Sequence, residues 1–65
     1  MNQARYYAWK IVEVCSSRHD PGCIESVLSL VAEDLKRSGL SGENVSRIVK
    51  EIVDILVNEY GVLRS

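Results

Sequence analysis

Long apolar runs are absent from this sequence of 65 residues. Its uninterrupted apolar stretches, such as Ile55-Leu56-Val57, are far shorter than the roughly 20 residues that a membrane-spanning helix needs. The polar segment Met1-Asn2-Gln3 also lacks the hydrophobic block of a secretory signal peptide. From these absences we expect a cytoplasmic protein with no membrane partner.

A large excess of charge of either sign is absent as well. The chain has 8 lysines and arginines against 9 aspartates and glutamates, which gives a formal net charge of −1. No long-range positive field therefore draws it to nucleic acid or to an anionic membrane surface. On charge alone, a protein partner or a second copy of the chain is favoured over nucleic acid.

The residue patterns of catalysis are missing too. The chain has one histidine, and its four glycines form no phosphate-binding loop. A domain of this size buries only about 60% of the surface that its unfolded chain exposes, so a core large enough to enclose a substrate pocket is not expected. One alternative is a reactive Cys23, whose thiolate a helix N-terminus would favour close to His19. Without a pocket or a second histidine, we expect no enzymatic activity and no cofactor.

What the sequence does contain is helical periodicity. Apolar residues recur at spacings of three and four in three segments, which predict helices over about residues 3–17, 21–38 and 42–60. No segment alternates with period two, so no strand is predicted. Short connections make consecutive helices neighbours. We therefore predict one all-α domain over residues 1–65, folded as an antiparallel three-helix bundle.

Start and stop signals mark the helix boundaries. Asp20-Pro21 is typical of a helix start, because the aspartate can accept a hydrogen bond from a free backbone N–H and proline fits the first helical position. Gly39 can adopt the left-handed conformation that ends many helices, and Ser41 can cap the helix that follows. Gly61-Val62 suits a Schellman-type stop with its hydrophobic contact.

The apolar stripes of the first two helices predict which residues face the core. The stripe of the first helix contains Ala4, Tyr7, Ala8, Ile11, Val14 and Cys15. The stripe of the second helix contains Ile24, Val27, Leu28, Val31 and Leu35. Each stripe is about as wide as a helix packed on one side requires.

The third helix has a wider apolar surface. Projected at about 100° per residue, its apolar residues cover an arc of roughly 200°, so either two helices flank it within one chain or another chain buries half of the arc. Tyr6 and Trp9 also project away from the core stripe of the first helix, and aromatic residues outside a core are enriched at interfaces. The predicted partner-binding residues are Tyr6, Trp9, Val49, Val53, Val57 and Tyr60.

The two cysteines have two open interpretations. Cys15, His19 and Cys23 stand in a C-x3-H-x3-C arrangement, but a closed structural zinc site normally has four ligands, and Asp20 as a fourth would compete with its capping role. We therefore predict no metal site. Because the cysteines lie at the facing ends of two helices, their Cα atoms can come within the roughly 4.4–6.8 Å that a disulfide needs. A disulfide and a pair of buried thiols are both compatible with the sequence.

Residues 32–48 resemble a known family. Gly39-Leu40-Ser41, followed after three residues by Val45-Ser46-Arg47-Ile48, looks like the turn and recognition helix of helix-turn-helix DNA-binding proteins. The resemblance implies a dimeric DNA-binding regulator that places residues 42–50 in the major groove. The implied DNA-binding residues are Asn44, Ser46, Arg47 and Lys50. Each feature of this stretch also has a structural explanation, since glycine ends a helix, serine caps one and apolar residues pack.

Two functional hypotheses follow from the sequence. The first is a small helical interaction module, either a homodimer or a subunit that docks a larger partner through the third helix and the surface of Tyr6 and Trp9. The alternative is a helix-turn-helix DNA-binding regulator.

Overall fold

Three helices make up this protein, in a computed structural model that describes residues 3–15 and 21–62. They are α1 (Gln3–Cys15), α2 (Pro21–Arg37) and α3 (Gly42–Asn58), and the described ranges contain no strand. Each helix packs against the other two. The predicted all-α three-helix bundle is therefore confirmed.

The helix boundaries differ from the predicted ones by one or two residues. The second helix ends at Arg37 instead of residue 38, and the third ends at Asn58 instead of residue 60. The second helix begins at Pro21, as its start signal predicts. Residues 16 and 17, which were predicted to end the first helix, and the predicted cap Asp20 lie outside the described residues.

The core lies where the three helices meet. Its buried residues are Ala4, Ala8, Ile11, Cys15, Ile24, Val31, Leu35, Val45, Ile52, Leu56 and Val62. The prediction for Val14 is wrong, because its side chain is 57% exposed. Val14 lies about 90° around the helix from the centre of the buried stripe, and its short side chain does not reach the core from there.

The connection between α2 and α3 follows its local sequence signals. Gly39 has a φ of 95°, and its N–H donates to the carbonyl of Lys36 at 3.0 Å. The N–H of Leu40 donates to the carbonyl of Leu35 at 3.3 Å, which completes a Schellman motif. The Ser41 hydroxyl then accepts a hydrogen bond from the backbone N–H of Asn44 at 3.2 Å. Helix stop and helix cap are thus both confirmed.

The end of α3 departs in detail from the predicted stop. Gly61 has the expected positive φ of 67°, and Val62 is buried in the core. The N–H of Val62 donates to the carbonyl of Leu56 at 2.9 Å, six residues back. The Schellman bond spans five residues, so the closing turn here is one residue wider, which fits with α3 ending at Asn58.

Replacing Ser41 with alanine should destabilise the protein by about 1 kcal/mol, because the N–H of Asn44 then loses its acceptor. For a domain of this size, that corresponds to a melting temperature lower by about 4–8 °C in a thermal unfolding experiment. Ser41→Asp should keep the stability close to that of wild type, since aspartate is an equally good cap. The matched control is Ser29→Ala on the exposed surface of α2. Equal melting temperatures for Ser41→Ala and Ser29→Ala would contradict the cap.

An ion pair shows how the helices are arranged. Nη1 of Arg5, in the first turns of α1, lies 2.6 Å from Oε1 of Glu59, just after the end of α3. If the helices alternated strictly up and down, these two ends would be separated by a helix length of about 25 Å. The contact instead places the start of α1 beside the end of α3, so these two helices do not run side by side in the same direction.

Candidate protein-binding site

Aromatic side chains converge where α1 begins and α3 ends. Tyr6 and Trp9 come from α1, Tyr60 comes from the turn after α3, and together with Arg5 they line an open groove of about 530 Å³. We call it the aromatic groove. Tyr6 is 45% exposed, Trp9 48% and Tyr60 38%. Three of the predicted partner-binding residues are thus brought together, across more than fifty residues of chain.

Ring contacts link the aromatic groove to the core through Tyr6. The ring centroids of Tyr6 and Trp9 are 6.5 Å apart, with a tilt of 38° between their planes. Tyr6 also makes an edge contact with Tyr7, at a centroid distance of 5.6 Å and an interplanar angle of 66°. Tyr7 is half-buried and packs against the core. The exposed ring of Tyr6 is therefore supported by a side chain that packs against the core.

The charge at the rim of the aromatic groove is paired. The guanidinium of Arg5 donates a hydrogen bond to the carboxylate of Glu59, and both side chains are largely exposed. This hydrogen bond and the negative charge of Glu59 raise the pKa of Arg5. An exposed ion pair adds little to stability. Its main consequence is local, because the pairing leaves this part of the rim without net charge.

A second groove lies between α2 and α3, near the start of α3. It has a volume of about 600 Å³ and is lined by Ala32, Lys36, Gly42, Val45, Ser46, Val49 and Lys50. We call it the lysine groove. Val49 belongs here, whereas Val53 and Val57 are half-buried and line neither groove. The single surface predicted from the sequence is therefore divided between opposite ends of α3.

The wide apolar arc of α3 is covered largely within the chain. Both α1 and α2 pack against α3. Val45, Ile52 and Leu56 are buried, and Ile48, Val49 and Ile55 pack against the core from its two sides. Of the two alternatives for this arc, flanking of α3 by two helices of the same chain therefore explains the burial of most of its apolar residues. Among the exposed large apolar side chains of the described residues, three are the rings of Tyr6, Trp9 and Tyr60, and these three line one groove.

The residues implied by the helix-turn-helix resemblance are all exposed: Asn44, Ser46, Arg47 and Lys50. Projected along the helix, Arg47 and Lys50 share the outward ridge of α3 with Glu43 and Asp54, so the charges on this ridge cancel. Phosphate binding needs an excess of positive charge. DNA binding through residues 42–50 stays a prediction, and the charge pattern of the ridge adds no support to it.

Of the two interpretations of the cysteines, a disulfide and a pair of buried thiols, the structure shows the disulfide. The sulfur atoms of Cys15 and Cys23 lie at bonding distance, and their Cα atoms are 5.9 Å apart. Neither cysteine is a free thiol in this structure. His19 and Asp20, the other residues considered for a zinc site, lie outside the described residues. Within the described ranges, no group of three or more His, Cys, Asp or Glu side chains could hold a metal ion.

Comparison with known proteins identifies no relative: no family model, no curated protein and no solved structure matches the chain. Within residues 3–15 and 21–62, no helix is long and apolar enough to cross a membrane. The function must therefore be inferred from the geometry of the chain itself. The aromatic groove is the surface site where several exposed aromatic side chains lie together.

Several residues of the two grooves were not predicted from the sequence. The roles of Arg5 and Tyr7 depend on their contacts with Glu59 and Tyr6. Glu59 lies 54 residues from Arg5, and no local pattern links the two. The contribution of α2 to the lysine groove, through Ala32 and Lys36, likewise depends on tertiary packing.

Proposed function

We propose that this chain is a protein–protein interaction module that binds its partner through the aromatic groove. The observation that carries the proposal is the convergence of Tyr6, Trp9 and Tyr60, each with more than a third of its surface exposed. A small domain has little apolar surface to spare for its core. Three large rings left outside the core are typical of the aromatic anchors that dominate binding energy at interfaces.

The mechanism is burial of preorganised rings. Tyr6 and Trp9 contact each other on one helix, and Tyr6 is supported by Tyr7. Little side-chain freedom is lost when such rings bind, so more of the burial energy appears as affinity. The paired charges of Arg5 and Glu59 at the rim remain partly in water, where they orient the partner more than they strengthen its binding.

Trp9→Ala should leave the stability of the free protein nearly unchanged, with a melting temperature within about 3 °C of wild type. The reason is that a ring kept for binding packs little against its own core, and alanine is a better helix former than tryptophan. Thermal unfolding followed by circular dichroism provides the measurement. The control is Ile11→Ala, a fully buried position two residues along the same helix. A loss for Trp9→Ala as large as that for Ile11→Ala would mean that the ring serves the fold instead.

The partner is either a second copy or a different protein, and one dilution series separates the two. Trp9 is the sole tryptophan of the chain, so its fluorescence reports on the aromatic groove alone. If the groove pairs two copies, the molar mass measured by light scattering should double with concentration while the Trp9 emission shifts to the blue. Tyr60→Glu should abolish both changes. A constant monomer mass with unshifted emission would exclude pairing of two copies through the groove and leave docking to a different protein as the form of the proposal to test.

A further inference from the structure

The aromatic groove has the size of a site for a short peptide segment. Aromatic side chains of this kind bury about 150–250 Å² each, so the exposed fractions of Tyr6, Trp9 and Tyr60 leave about 300 Å² of ring surface available. A stable interface between two folded proteins buries about 800 Å² on each partner. The rings therefore cover less than half of what a second copy would need, and their area fits a peptide.

The charge of the groove fits an uncharged segment. Its lining consists of three neutral aromatic residues and Arg5. The guanidinium of Arg5 is already bound by the carboxylate of Glu59. An acidic peptide would have to compete with Glu59 for this cation, and a basic peptide would meet a like charge. A segment without charged side chains avoids both costs.

The hydrogen-bonding groups of the groove narrow the choice further. The indole Nε1–H of Trp9 is a donor only, and within the described residues it has no partner. The guanidinium of Arg5 has further N–H donors beyond the one given to Glu59. Proline residues offer backbone carbonyls but no N–H groups. The acceptors among the lining residues are few, namely the hydroxyl oxygens of Tyr6 and Tyr60. A proline-rich chain makes little demand on them, whereas an ordinary extended peptide brings an N–H donor at nearly every residue.

We propose that the occupant of the aromatic groove is an uncharged, proline-rich segment of a partner protein in the polyproline II conformation. This inference rests on the proposed function and names the chemistry of its partner. Such segments are already extended before they bind, so they lose little entropy on docking into aromatic-lined grooves. Their pyrrolidine rings pack on the tilted faces of Tyr6 and Trp9, while the indole N–H and the tyrosine hydroxyls donate to the carbonyls between them.

The test is a titration of the full chain with blocked decaproline, followed by the fluorescence of Trp9. We expect a saturable blue shift that changes little between low and high salt, because no charges pair in the complex. Tyr60→Ala should weaken binding about tenfold or more, the loss expected for an aromatic anchor. Leu30→Ala, at a residue on α2 that is 63% exposed and outside the groove, should bind like wild type.

Two results would overturn the inference. One is an emission spectrum that stays constant up to millimolar decaproline, and the other is equal binding of a blocked glycine-serine peptide of the same length. Either result leaves the proposed function to its own test, which is the melting temperature of Trp9→Ala. If Trp9→Ala instead destabilises the free chain as much as Ile11→Ala does, the ring serves the stability of the fold. The proposed function then fails, whatever the decaproline titration shows.

Discussion

Replacing Ile52 with alanine should cost about 2–5 kcal/mol of folding free energy. Ile52 lies in the middle of α3, and its side chain has no exposed surface. The substitution removes apolar atoms from the core and leaves a cavity that the three packed helices cannot fully close. A chain of 65 residues has a total stability of about 3–10 kcal/mol. The loss is therefore a large share of the total, and urea denaturation followed by circular dichroism should show a strongly lowered midpoint.

A smaller substitution at Ile52 should give a smaller loss of folding free energy. Ile52→Val removes a single methylene and should cost about 0.5–1.5 kcal/mol. Leu30→Ala provides the matched control, because Leu30 lies on α2 and is 63% exposed, so its replacement should stay within about 0.5 kcal/mol of wild type. Equal denaturation midpoints for Ile52→Ala and Leu30→Ala would show that Ile52 is not part of the core.

Reduction of the disulfide should have the second largest effect, a loss of about 2.5 kcal/mol. The bond closes a short loop, since Cys15 and Cys23 are 8 residues apart, and opening it returns chain entropy to the unfolded state. For a domain of this size, the melting temperature should fall by about 10–20 °C. Thermal unfolding with and without a thiol reductant measures the change.

A double variant separates the bond from the reductant. Cys15→Ala combined with Cys23→Ala should melt near the temperature of the reduced wild type, and added reductant should not change it further. The stabilising role of the disulfide is contradicted if thiol titration shows that the reductant has fully reduced the wild type while its melting temperature equals that of the untreated protein. That outcome would mean that α1 and α2 are held together by packing alone.

Local chemistry made most of the fold predictable. Gly39 and Ser41 act through hydrogen bonds within a few residues, so their roles as helix stop and helix cap can be inferred from the sequence. Periodicity likewise predicts the buried faces of α1 and α2. It does not predict how far around a helix the core extends. Val14 was misplaced for this reason, and the apolar arc of α3 was covered by two neighbours in the same chain.

The site was predictable only in part. The sequence indicates that Tyr6 and Trp9 leave the core stripe of α1, because one helix determines their direction. It does not indicate that Tyr60 joins them, since this depends on how the start of α1 packs beside the end of α3. The neutral rim depends on a pair of residues at opposite ends of the described chain, Arg5 and Glu59. The choice between disulfide and thiols also required the Cα separation of Cys15 and Cys23.

The contact between Arg5 and Glu59 also determines how this domain can be combined with others. It places the first turns of α1 next to the residues that follow α3. Folds with neighbouring ends can be carried within a surface loop of a host protein without forcing the host's loop apart, and they tolerate circular permutation. Joined in this way, the domain would present its aromatic groove at the junction itself.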